Sequence, residues 1–67
     1  MGINYEKLFD ILRARQIKEK DFQIMAGFSG NIMTRMRRNQ YVSLESVQTM
    51  CHVLNCKVED IVDFIQD

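Results

Sequence analysis

The sequence predicts an all-α domain of five short helices. Three observations carry that expectation. Apolar residues recur at i, i+3, i+4 and i+7 in successive segments, helix-capping residues stand at the ends of those segments, and strand alternation is nowhere sustained. With 67 residues the chain is one domain, residues 1–67, because a chain this short hides only roughly 60% of its unfolded surface and cannot support two cores. The 46% apolar and 27% charged content, with no proline, is that of a folding chain.

The elements follow in order. Asn4 caps a first helix on which Tyr5, Leu8, Phe9 and Leu12 form the inner stripe, and Arg13 and Arg15 complement its negative C-terminal end. A second helix, Glu19 to Ala26, places Glu19 and Asp21 at its positive N-terminus and turns Phe22, Met25 and Ala26 inward. Gly27 can adopt the left-handed conformation that closes a helix, so the chain turns at Gly27-Phe28-Ser29. Ser29 caps a third helix, Gly30 to Arg38, with Ile32, Met33 and Met36 buried and Asn39 as its stop. Ser43 caps a fourth, with Leu44, Val47, Met50, Cys51 and Leu54 as its stripe and Asn55 as its end. A fifth helix is expected from Val58 to Ile65, with Ile61, Val62 and Ile65 on one side and Asp60 and Asp63 largely on the other.

Charge is balanced overall, nine cations against nine anions, but not along the chain. Between Ile11 and Leu44 seven cations (Arg13, Arg15, Lys18, Lys20, Arg35, Arg37, Arg38) face two anions (Glu19, Asp21), while the segment from residue 45 onward is acidic. Two electrostatic faces are expected. No apolar run approaches the ~20 residues that span a bilayer, and the first ten residues do not resemble a secretory leader, so a cytoplasmic, membrane-free protein is expected.

The second and third helices, about residues 19–38, have the spacing of a helix-turn-helix, whose second helix projects from the body and fits the major groove of B-DNA. Asn31, Thr34, Arg35 and Arg38 share the flank opposite the apolar stripe of the third helix. Their chemistry suits base edges: Arg35 can fork onto guanine O6 and N7, Asn31 can pair with adenine N6 and N7, and Thr34 can bond a base or touch a thymine methyl. Arg38 reaches a base or, with Arg37, the sugar-phosphate backbone. Backbone N–H groups where this helix starts, at Ser29, are expected to meet phosphate.

Other chemistries fit poorly. Cys51, His52 and Cys56 lack a fourth ligand and a structural zinc spacing, so no metal is expected, and two cysteines build no disulfide framework. Ser29, His52 and an acid lack an oxyanion hole or nucleophile elbow, so catalysis is not expected. No cofactor and no small-molecule substrate is expected, since 67 residues leave no room for a ligand pocket. Met33, Met36 and Met50 fall on inward stripes and read as gap-filling core.

From about Tyr5 to Phe64 the chain resembles the phage-repressor and Cro type (lambda-repressor-like) helix-turn-helix domain of bacterial transcriptional regulators. Ala26-Gly27-Phe28-Ser29 is similar to that family's turn, Asn31 to Asn39 to its reading helix, Val42 to Val47 to its approach into the fourth helix, and Leu54 to Ile61 to its passage into the last. The resemblance implies five helices with the third as reader, Asn31, Thr34 and Arg35 at base-reading positions, and phosphate contacts from the start of the second helix and from Gln40 and Tyr41. It also implies a bacterial or phage setting. The chain departs from the pattern where Lys18 and Glu19 replace the usual hydroxyl cap and glutamine, leaving Lys18 and Lys20 to attract phosphate as flexible point cations. Gln23 replaces a small residue where the motif helices cross, so that either the helices separate slightly or Gln23 leans outward. Gly30 brings no side chain to the first turn of the reader and costs roughly 1 kcal/mol of helix propensity.

The last segment carries more apolar surface than a short terminal helix needs, and Ile61, Phe64 and Ile65 are candidates for contact with a second copy on an inverted repeat. The alternative is that Phe64 closes the core. Two functions stand at this point: a sequence-specific duplex-DNA-binding regulator that is a homodimer, or a helical protein-interaction module that keeps the fold without the DNA contacts.

Overall fold

The computed structural model describes residues 1–66. Four α-helices follow a short strand: β1 (Gly2–Asn4), α1 (Glu6–Ala14), α2 (Glu19–Ala26), α3 (Gly30–Arg37) and α4 (Leu44–Leu54). A single 3-10 turn (Val58–Asp60) and a second strand, β2 (Asp63–Ile65), complete them.

All four α-helices close in the same way. A residue in the left-handed region follows each one, Gln16, Gly27, Asn39 and Asn55 with φ between 52° and 68°. The next N–H then reaches back five residues: Ile17 to the Leu12 carbonyl, Phe28 to Gln23, Gln40 to Arg35 and Cys56 to Cys51, at 2.8–3.0 Å. This closure satisfies carbonyls that a helix end otherwise strands, and it needs a residue that tolerates positive φ, as glycine and asparagine do. The starts are equally local. Ser29 Oγ accepts from the Ile32 N–H at 3.3 Å and Ser43 Oγ from the Ser46 N–H at 3.1 Å. Asn4 Oδ1 accepts from the Glu6 N–H at 2.7 Å, although Tyr5, one residue later, takes the cap position.

The core gathers Tyr5, Leu8 and Leu12 of the first helical segment, Phe22 of α2, Met33 and Met36 of α3, and Val47, Met50 and Leu54 of α4. Ile3, Ile61 and Val62 close it from the chain ends. The three inward methionines fill it as expected. Among the described residues, no buried side-chain nitrogen or oxygen lacks a hydrogen bond.

Three expectations are corrected. The five-helix count fails because the fifth segment makes only a 3-10 turn. The Lys57 N–H is held by Asp60 Oδ2 at 2.9 Å, and the chain then runs extended, antiparallel to β1, with Ile3 opposite Phe64. The β-branched Ile61, Val62 and Ile65 favour extended backbone, and β1 supplies partners some sixty residues distant in sequence that no local periodicity reveals. Three-residue strands are also too short to display alternation. Second, Met25 is 53% exposed; Gln23 instead flanks Phe22 and Ala26 on the inner side of α2. Third, Leu44 is 81% exposed, because it opens α4 ahead of the buried Val47, Met50 and Leu54 stripe.

The apolar end also divides differently. Ile61 is fully buried and presents no surface to a second copy, whereas Phe64 is 75% exposed and therefore does not close the core. Phe64 and Ile65 stand on β2, all three of whose residues are exposed.

Candidate nucleic-acid interface

The sharp turn between α2 and α3 is built by one backbone conformation and two contacts. Gly27 sits at φ 68°, and Phe28 folds back so that its ring meets Phe22 edge-on, with centroids 5.9 Å apart and planes at 83°. Gln23 Nε2 donates to the Phe28 carbonyl at 3.2 Å. Gln23 therefore does not lean outward; it braces the turn. At the far end of the motif, Arg37 Nε and Glu19 Oε1 pair at 2.9 Å, joining the last turn of α3 to the first of α2. Both side chains are about half exposed, so the pair contributes geometry more than stability, roughly 0–1 kcal/mol. Glu19, at the position where the resembled family places a neutral glutamine, thus has its charge offset within the motif.

On α3, burial separates two faces. Met33 and Met36 are inside and Ile32 is half-buried, while Asn31 and Arg35 are exposed, Thr34 is half-buried, and Arg38 is exposed at the cap position just beyond Arg37. Arg35 and Arg38 form no side-chain ion pair or hydrogen bond among the described residues, so both guanidinium forks are open to an external acceptor. Lys18 and Lys20 are exposed at the start of α2, where Lys18 makes no side-chain cap. The acidic C-terminal segment is engaged elsewhere: Lys7 Nζ donates to the Glu59 carbonyl at 3.1 Å and pairs with Asp63 at 3.0 Å.

The connection between α3 and α4 continues the same surface. Gln40 and Tyr41 are exposed, and a shallow hollow lined by Ile32, Arg35, Tyr41, Val42, Ser43 and Ser46 joins the outer flank of α3 to the N-terminus of α4. Two groups hold this loop that sequence periodicity assigned only to core and cap. Tyr5 Oη donates to the Gln40 carbonyl at 2.8 Å, and Asn39 Oδ1 accepts from the Tyr5 N–H at 3.2 Å. Burial pushes the Tyr5 phenol above its ordinary value of 10.0, while a Val42 backbone hydrogen bond pulls it down and the neighbouring Tyr41 adds a smaller upward push. The clue available beforehand was chemical: a tyrosine on a fully inward stripe must find a partner for its hydroxyl.

The geometry thus brings Asn31, Thr34, Arg35 and Arg38 onto one flank, exposed at all but the half-buried Thr34, with Tyr41, Gln40 and the capped start of α4 beside it. Ser29 opens α3, and Lys18 and Lys20 open α2. Phe64 and Ile65 lie on β2, and no helix among the described residues is long and apolar enough to cross a membrane. No group of three or more metal-ligating side chains occurs among the described residues.

Comparison with known proteins finds the same fold. The solved structure of transcriptional regulator VanUg superposes with a TM-score of 0.94 at 27% identity, over 98% of this chain and 88% of that one. No curated protein matches. The family model of the Cro/C1-type HTH DNA-binding domain matches residues 7–67, nearly the whole chain and all of the helix-turn-helix built above. This chain therefore belongs to the Cro/C1-type helix-turn-helix DNA-binding domain family.

Proposed function

We propose that this domain regulates transcription by binding specific duplex sequences, with α3 in the major groove, as a homodimer on an inverted repeat. The observation that carries the reading is the division of α3: its apolar side is locked into the core while Arg35 and Arg38 hold no partner among the described residues. An open guanidinium on a protruding helix beside a threonine and an asparagine is equipped to read donor and acceptor patterns on base edges. Phosphate is met by Ser29 and the start of α3, by Lys18 and Lys20, and by Gln40 and Tyr41. Arg37 keeps its Nη groups for the sugar-phosphate backbone while Nε stays on Glu19.

Phe64 and Ile65 are the dimer surface in this reading; Ile61 belongs to the core beneath them. The domain measures 33 × 23 × 18 Å, so two copies side by side can hold their reading helices the ~34 Å apart that successive major grooves require. The VanUg relative, described as a transcriptional regulator, supports the regulatory role.

The test is duplex binding across a salt series with three proteins. Wild type should lose affinity steeply as salt rises, since each neutralised phosphate contributes a slope of about −0.9 in log K against log salt. Arg35→Ala should cost ~1–3 kcal/mol and relax selection at one base position, and Arg37→Ala should weaken all sequences alike. A flat salt response would favour the protein-interaction reading, and identical losses from both substitutions on every sequence would remove Arg35 from the reader role.

A further inference from the structure

Away from the nucleic-acid face, the end of α4 brings two thiols together. Cys51 lies in the last turns of α4, and Cys56 follows the left-handed Asn55. The Cys56 N–H donates to the Cys51 carbonyl at 3.0 Å and the Asn55 N–H to the His52 carbonyl at 3.3 Å. This double bond pattern presses the side chain of the residue beyond the cap against that of the residue five earlier, a contact that is ordinarily apolar. At the end of α1 the equivalent pair is Leu12 and Ile17, both packed in the core. At the end of α4 it is two uncombined cysteines, both half-buried and both open to one surface hollow shared with Thr49 and His52.

We propose that Cys51 and Cys56 form a reversible oxidation site that reacts with small disulfides of the glutathione class and closes to an intrachain disulfide. One protein thiol displaces half of the oxidant, giving a mixed disulfide and one released thiol. The second protein thiol then attacks the protein sulfur of that bond and releases the other half. The protein gives up two electrons and two protons, and the two small thiols carry them away. Burial, followed by the proximity of Cys51 and Asp60, raises the Cys56 thiol above its ordinary value against a smaller downward pull from Arg15, so Cys56 rests as the thiol at neutral pH. The hollow lies towards the end of α4 opposite to Ser43, and the closed pair straps the helix cap without touching Arg35 or Tyr41.

The experiment incubates the whole chain with oxidised glutathione and reads intact mass and non-reducing mobility, folded and in urea. The wild-type chain should lose two hydrogens, keep no glutathione adduct and remain a single chain, whereas Cys51→Ser and Cys56→Ser should each retain one glutathione. In buffer the closed form should withstand about tenfold more reduced glutathione than in urea, because the fold raises the effective concentration of one thiol at the other. Two glutathione adducts on wild type, an interchain dimer, persistence of both thiols, or equal resistance in urea would each overturn the proposal.

Discussion

Replacing Tyr5 by phenylalanine separates the two tasks that this residue performs. The ring fills the core with no exposed surface, and phenylalanine preserves it; what disappears is the hydroxyl bond to the Gln40 carbonyl at 2.8 Å. A hydrogen bond of this kind contributes about 0.5–1.5 kcal/mol net, and water can reach the carbonyl of an exposed residue such as Gln40, so the loss should fall in the lower half of that range, about 0.5–1 kcal/mol. Urea unfolding of wild type and Tyr5→Phe measures it directly, with the slope unchanged. Because the same bond holds the loop that carries Gln40 and Tyr41, duplex affinity should fall a few-fold for every sequence, leaving base preference as it was. The pH dependence supplies a second reading. A phenol whose folded value lies above 10.0 binds its proton more tightly in the folded chain, so its contribution is complete below pH 10 and is lost as pH rises past that point towards the folded value. The stability difference between wild type and Tyr5→Phe should therefore be constant up to pH 10 and shrink above it. A variant as stable as wild type, with the same affinity and the same alkaline profile, would refute the claim that Tyr5 tethers the loop.

Three further outcomes are expected. Glu19→Gln removes an anion from the start of α2 and frees Arg37, so duplex affinity should rise a few-fold for all sequences with a steeper salt dependence; unchanged affinity by fluorescence anisotropy would argue against phosphate lying near that helix start. Gly27→Ala meets no atom within 4 Å but places a Cβ at φ 68°, and thermal unfolding should show a loss of about 1–2 kcal/mol from backbone strain alone. Phe64→Ser with Ile65→Ser should yield monomer by sedimentation with the helical circular dichroism retained, and an undiminished dimer would move the twofold contact away from β2.

The candidate site was legible where its signals are local. Ser29, Gly27 and Asn39 bound the reading helix within a few residues of the groups they cap, and the i, i+3, i+4 rhythm sorts Met33 and Met36 from Asn31 and Arg35 without knowledge of anything beyond that helix. What stayed hidden depends on partners far along the chain. Tyr5 reaches Gln40 across 35 positions and Glu19 reaches Arg37 across 18; an inward tyrosine announces that its hydroxyl has a partner but not which one, and an exposed glutamate announces neither. On α2, two turns offered several possible inner faces; in the fold Phe22 is buried against Phe28, Gln23 bonds the Phe28 carbonyl and Met25 points outward.

By itself, then, the amino-acid order determined the four α-helices, the serine caps of α3 and α4, the stops at Gly27, Asn39 and Asn55 and the polar flank of α3, because these are set by interactions over three to five residues. Only the tertiary structure decided that the last segment would leave the helical path. Val58 to Ile65 has an apolar pattern compatible with a helix, and its β-branched residues also suit a strand. The N-terminal strand breaks the tie, by offering hydrogen-bond partners to Asp63–Ile65 while Ile61 and Val62 are drawn into the core. That choice leaves Phe64 exposed opposite the buried Ile3, and so decides between the two roles that the segment alone left open for it, a surface contact or a lid on the core.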